Sequence, residues 1–91
     1  MNYKNAIIDW DHFRTVSEFK DCLIRGGEVE FTWKGIAYSV GPYDGKYGIS
    51  YSRLQSTEKC FNTPDEVLTY MAGDDTLRDI ITQVQITNRT L

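Results

Sequence analysis

The chain has 91 residues, of which 41% are hydrophobic and 25% charged, with a formal net charge of −3. That length suits a single domain, 1–91, and a chain this small buries only about 60% of its unfolded surface, so every large apolar side chain has a use in the core. No apolar run is long enough to span a bilayer, no N-terminal stretch has the order of a secretory signal, and ten dispersed Lys and Arg make no phosphate-binding stripe. A cytoplasmic protein that does not bind nucleic acid directly is the expectation.

In chain order, Ala6-Ile7-Ile8-Asp9-Trp10 is short and apolar, and reads equally as an added strand or as an extended segment laid over the core. Asp9, Asp11 and His12 put two carboxylates and the one histidine close in sequence, the minimum for a metal or acid-base site. Neighbours on a strand alternate faces, however, and no second histidine or suitably spaced carboxylate completes a ligand set. Polarity at the surface is sufficient reason for these residues.

Thr15-Val16-Ser17-Glu18 is a capping-box pattern, in which the hydroxyl and the carboxylate satisfy orphan amides reciprocally. A helix is expected to follow, with Phe19, Cys22 and Leu23 on one face, Val16 beside them, and Gly26-Gly27 as its left-handed stop.

Two tight-turn signals, Lys34-Gly35 and Asp44-Gly45, then set a register by arithmetic, because residues paired across a two-residue loop sum to a constant. Trp33 falls opposite Ile36, Phe31 opposite Tyr38 and Val29 opposite Val40; the second turn places Val40 opposite Ile49 and Tyr38 opposite Tyr51. Both turns agree on which face of the middle strand is buried, and a one-residue slip in either would destroy that agreement. The other face carries Glu28, Glu30, Thr32, Ala37, Ser39, Gly41, Gly48, Ser50 and Ser52, all polar or small. It reads as a solvent-facing side, or as a flat surface that a second copy or another protein approaches closely. Tyr43 and Tyr47 flank the second turn next to Lys46 and Arg53, the composition of a protein-binding patch. Tyr47 serves equally well as a cover for the edge of the core.

Residues 57–61 have the character of a brief fourth strand. Thr63-Pro64-Asp65-Glu66 is a strong helix start, with Val67, Leu68 and Met71 as the apolar stripe and Gly73 as the stop. Asp74 or Asp75 can cap a further turn or helix carrying Leu77, Ile80, Ile81 and Val84 on one face, after which 84–87 alternates and suits an open sheet edge. Residues 57–82 hold six acids and two bases, a local net charge of −4 that would steer a basic partner or mimic nucleic acid. Helix starts also favour acids for local reasons, which accounts for Asp65, Glu66, Asp74 and Asp75.

Cys22 and Cys60 could pair but match no metal spacing, and in a reducing compartment buried, unreactive thiols are the expectation at both. Asn88-Arg89-Thr90 is a glycosylation sequon, meaningful only on secretion.

The expected fold class is α+β: an N-terminal helix, a three-stranded antiparallel meander open to extension by short strands, and two short C-terminal helices packed on one sheet face. The segments Thr15-Val16-Ser17-Glu18-Phe19-Lys20, Gly26-Gly27-Glu28-Val29-Glu30-Phe31, Lys34-Gly35, Tyr38-Ser39-Val40, Thr63-Pro64-Asp65-Glu66-Val67-Leu68 and Leu77-Arg78-Asp79-Ile80 together resemble the small uncharacterised open reading frames of Firmicutes genomes and their prophages. The resemblance implies a bacterial or phage origin, and no activity or ligand residue. No cofactor is expected. The favoured role is non-enzymatic protein binding, as in an accessory protein that inhibits or adapts a host protein, an anti-defence inhibitor with acidic bait among them. Tyr43, Tyr47, Asp74 and Asp75 are the candidate contact residues. Self-association through the small-residue face or a sheet edge is the alternative, and a small hydrolase or metal protein built on Asp9, Asp11 and His12 the remote third.

Overall fold

The computed structural model describes residues 11–90, so the segment up to Trp10, Asp9 included, lies outside the described residues. Helix α1 (Val16–Ile24) leads into strands β1 (Val29–Trp33), β2 (Ile36–Tyr43) and β3 (Lys46–Tyr51). A 3₁₀ turn (Gln55–Thr57) and β4 (Lys59–Phe61) come next, then the single-turn helix α2 (Pro64–Val67), the short strands β5 (Met71–Ala72) and β6 (Asp75–Thr76), the single-turn helix α3 (Leu77–Ile80) and β7 (Gln85–Arg89).

Thr15 caps α1, its Oγ1 accepting from the Glu18 amide at 3.1 Å, while the Glu18 carboxylate accepts from the Arg14 amide at 2.6 Å, one residue earlier than a reciprocal capping box requires. The helix ends in a Schellman arrangement, with Gly27 N donating to Cys22 O at 2.9 Å, Gly26 N donating to Leu23 O at 3.0 Å, and Gly26 at φ +84°.

The register follows the turn arithmetic at every apolar pair: Val29/Val40, Phe31/Tyr38 and Trp33/Ile36 across the first turn, Tyr38/Tyr51 and Val40/Ile49 across the second. All four central turn residues have positive φ, Lys34 and Gly35 at +50° and +82°, Asp44 and Gly45 at +52° and +76°. Lysine is an unusual choice there, and its ammonium is held at 3.0 Å from Asp75 Oδ2 and 5.6 Å over the Trp33 ring.

The meander is the centre of a larger sheet, five antiparallel strands in the order β4-β3-β2-β1-β7. The 59–61 segment extends it beside β3, and the C-terminal segment returns to the free edge of β1 with a register shift between Glu30 and Phe31. The Ile86 amide, on β7, donates to Asp11 O at 2.8 Å.

One sheet face carries the core. Phe19, Cys22 and Leu23 of α1, Val67 and Leu68, and Leu77, Ile80, Ile81 and Val84 all bury against Val29, Phe31, Tyr38, Val40 and Ile49. Burial of this kind contributes about 25 cal/mol per Å² of apolar surface, the main favourable term for so small a domain. Phe13 and Phe19 meet edge to face at 5.3 Å, and Phe31 stacks on Tyr38 at 5.2 Å.

The two short helices expected in the C-terminal half are present, each a single turn, with a hairpin between them. Thr63 and Glu66 form a full capping box, but the helix stops at Val67. Thr69 Oγ1 donates to Glu66 O at 2.6 Å, and the chain then enters the β5/β6 hairpin, with Met71 opposite Thr76 and Ala72 opposite Asp75. Gly73 is therefore a turn residue at φ +68°, and Met71 lies on a strand outside the core. The cap of α3 is Thr76. Asp75 is held elsewhere, accepting from Trp33 Nε1 at 2.9 Å.

Candidate functional site

Among the described residues no element covers the core at one end of the sheet. Tyr51, assigned to the buried face by its register, is 41% exposed, as is Ile36, and Met71 is 50% exposed. These three surround a groove of about 380 Å³ whose other walls are Tyr38, Tyr70 and Gly73. Tyr38 is the hub, meeting Tyr51 edge to face at 6.3 Å and Tyr70 edge to face at 6.0 Å. The β5/β6 hairpin supplies Met71 and Gly73, so the element that follows the early end of α2 is also the one that builds this wall.

Tyr38 and Tyr70 are each only 5% exposed, yet among the described residues neither hydroxyl has a hydrogen-bond partner. Neither oxygen is sealed from solvent, so the small open remainder of each ring includes its hydroxyl. Burial raises the pKa of both phenols. Tyr51 and then Asp75 raise Tyr38 further, and Tyr38 and then Tyr51 do the same to Tyr70. Both therefore stay protonated and able to donate at neutral pH. The Lys59 ammonium lies 6.0 Å from the centre of the Tyr70 ring and has no ion-pair partner among the described residues.

The opposite sheet face is the small-residue face, and it is not flat. The Glu28 side chain folds over Gly41, where an added Cβ would lie 2.8 Å from its Cγ. Glu58 folds over Gly48, where an added Cβ would collide with its carboxylate and lie 3.0 Å from Tyr43 Cβ. A shallow groove of about 160 Å³ lies between, with Glu30, Ser39 and Ser50 also on its walls.

The structure separates the residues that composition grouped. Tyr43 lies on this outer face, whereas Tyr47, paired with Pro42, is half-buried against the core on the other, so the two tyrosines form no common patch. Asp74 is exposed at the tip of the β5/β6 turn. Asp75 is engaged by Trp33 and Lys34, in that order the chief reasons its carboxyl is held below the usual range. Asp65 is likewise lowered by Lys20 at 2.9 Å, and Glu66 is consumed by its cap. Cys22 is buried, with burial raising its pKa, but Cys60 is exposed, because β4 turns it to the uncovered face opposite Gly48.

Sequence reading missed the groove because it assigned Tyr51 and Met71 to the core. The available signal was Gly73-Asp74, a glycine-first dipeptide that suits a two-residue hairpin turn. Among the described residues no group of three or more His, Cys, Asp and Glu is placed to hold a metal, and no helix is long and apolar enough to cross a membrane. Comparison with protein-family models, curated proteins and solved structures finds no match to the chain.

Proposed function

We propose that this protein is a non-enzymatic protein-binding module that docks its partner in the tyrosine groove. One observation carries the reading: Ile36, Tyr51 and Met71 are the large exposed apolar side chains around a concave floor of buried tyrosine. Aromatic residues and methionine are what interface centres are enriched in, and a contiguous apolar patch on a small domain marks a contact surface. In the biological setting we favour, the protein is an accessory factor of a bacterium, phage or mobile element that inhibits or adapts a host protein. An acidic bait is the weaker version of that idea, since Asp65, Glu66 and Asp75 already serve contacts within the fold.

Self-association through the small-residue face is opposed by charge. Glu28, Glu30 and Glu58 line it, and a two-fold contact would bring them against their own copies.

The test is capture from nuclease-treated lysate of the source cells, with wild type, Met71→Asp and Asp74→Lys as parallel baits, Asp75 being left in place because it holds Trp33 and Lys34. A partner lost with Met71→Asp and kept with Asp74→Lys supports the groove. The reverse pattern returns the function to the acids, and recovery of bait alone, with a dimer on sedimentation, favours self-association.

A further inference from the structure

We infer that the tyrosine groove takes a carboxylate carried on an apolar body, such as a glutamate or aspartate flanked by apolar residues in a partner protein. This deepens the docking role proposed above and rests on it.

Apolar walls alone would suit many occupants, but the polar groups in and beside this groove are selective. Tyr38 and Tyr70 are about nineteen-twentieths buried, and their hydroxyls have no partner among the described residues. Each hydroxyl reaches solvent through the small open part of its ring, so an occupant that accepts its hydrogen bond takes the place of water while the apolar walls cover the rest. Both phenols keep their protons at neutral pH, so they can act as donors to an anion. Lys59 adds an ammonium beside Tyr70, and no carboxylate among the described residues pairs with it. Asp75 acts on Tyr38, but its charge is offset by Lys34 at 3.0 Å and by the Trp33 indole N–H at 2.9 Å, and Asp74 is exposed at the tip of the same hairpin. Two neutral donors and a cation with no ion-pair partner among the described residues make an acceptor with negative charge the complementary occupant.

The probe is 3-phenylpropionate, titrated into ¹⁵N-labelled protein at low ionic strength beside 3-phenylpropanol and 3-phenylpropylamine, which share its apolar body. The expected result is a saturable shift of the Ile36, Tyr51, Met71 and Gly73 amides by the carboxylate, with the alcohol and the amine each weaker by about tenfold. Lys59→Met should weaken the carboxylate by about five- to tenfold and leave the alcohol unchanged, and Tyr70→Phe should weaken the carboxylate by a similar factor and the alcohol less, which a merely structural role would not do. Equal binding of all three probes, tighter binding of the amine, or no saturable response at these amides overturns the inference. Partner capture distinguishes the two failures. A partner lost with Met71→Asp while the probes show no charge preference sinks the carboxylate alone, whereas a partner indifferent to Met71→Asp removes the docking role as well.

Discussion

Gly26 and Gly27 are adjacent, and the structure requires each for a different reason, so alanine at the two positions should fail differently. Gly26 sits at φ +84° with nothing within 4 Å of where a Cβ would be. Its replacement costs only the left-handed strain of an L-residue, about 1 kcal/mol. Gly27 has no such φ, but a Cβ there would lie 2.7 Å from Cys22 Sγ, 2.7 Å from Thr90 O and 2.9 Å from Cys22 O. Two of those three atoms are backbone, held by the Gly27 N to Cys22 O bond of 2.9 Å and the Thr90 N to Glu28 O bond of 2.9 Å. Relief therefore means moving α1 or the chain after β7, and overpacking of this kind costs about 2–3 kcal/mol. Against a total of roughly 5–13 kcal/mol for a domain of this length, that is a large fraction. Urea unfolding of Gly26→Ala, Gly27→Ala, Cys22→Ala and the Cys22→Ala/Gly27→Ala pair gives the four values needed. Removing the sulfur should recover only part of the Gly27→Ala loss, since both carbonyls stay. Gly27→Ala within about 0.5 kcal/mol of wild type, or less damaging than Gly26→Ala, refutes the packing argument.

Tyr70→Phe and Tyr38→Phe should leave the urea midpoint unchanged or slightly raised, because neither hydroxyl has a partner to lose among the described residues. A drop of more than about 1 kcal/mol would mean that the hydroxyls are satisfied within the fold. Asp75 and Asp65 both have lowered carboxyl pKa values, so their contribution is present above the unfolded aspartate value of about 3.9 and is lost as pH falls through the lower folded values. The urea midpoint should accordingly decline as pH drops below about 4, less steeply in Asp75→Asn and in high salt, both of which weaken the pairing. Thr63→Ala should cost about 1 kcal/mol through loss of the bond its hydroxyl accepts from the Glu66 amide. With a thiol-specific reagent under native conditions, Cys60 should react at once and Cys22 only on unfolding.

Local chemistry in the sequence determined much of this protein. Two X-Gly turns specify the pairing of Val29 with Val40 and of Tyr38 with Tyr51, because a two-residue loop admits one register. The same holds for the Thr15 cap, the Gly26-Gly27 stop and the Thr63-Pro64 start, where a side chain or a dihedral preference acts on its own turn of helix. The buried set of Leu77, Ile80, Ile81 and Val84 is legible from spacing, although only one turn of it is helical. What lies over each face was decided by the tertiary structure. Alternation assigns Tyr51 and Tyr38 to the same side but says nothing of whether an element covers them both, and the β5/β6 hairpin stops short, leaving Tyr51 open and Tyr38 as the groove's floor. Nor does sequence proximity reveal that Asp75 would be engaged by Trp33 and Lys34, more than forty positions away, while Tyr43 and Tyr47 part to opposite faces. Register and caps are written in short-range sterics, whereas a groove exists only where long-range packing leaves a gap.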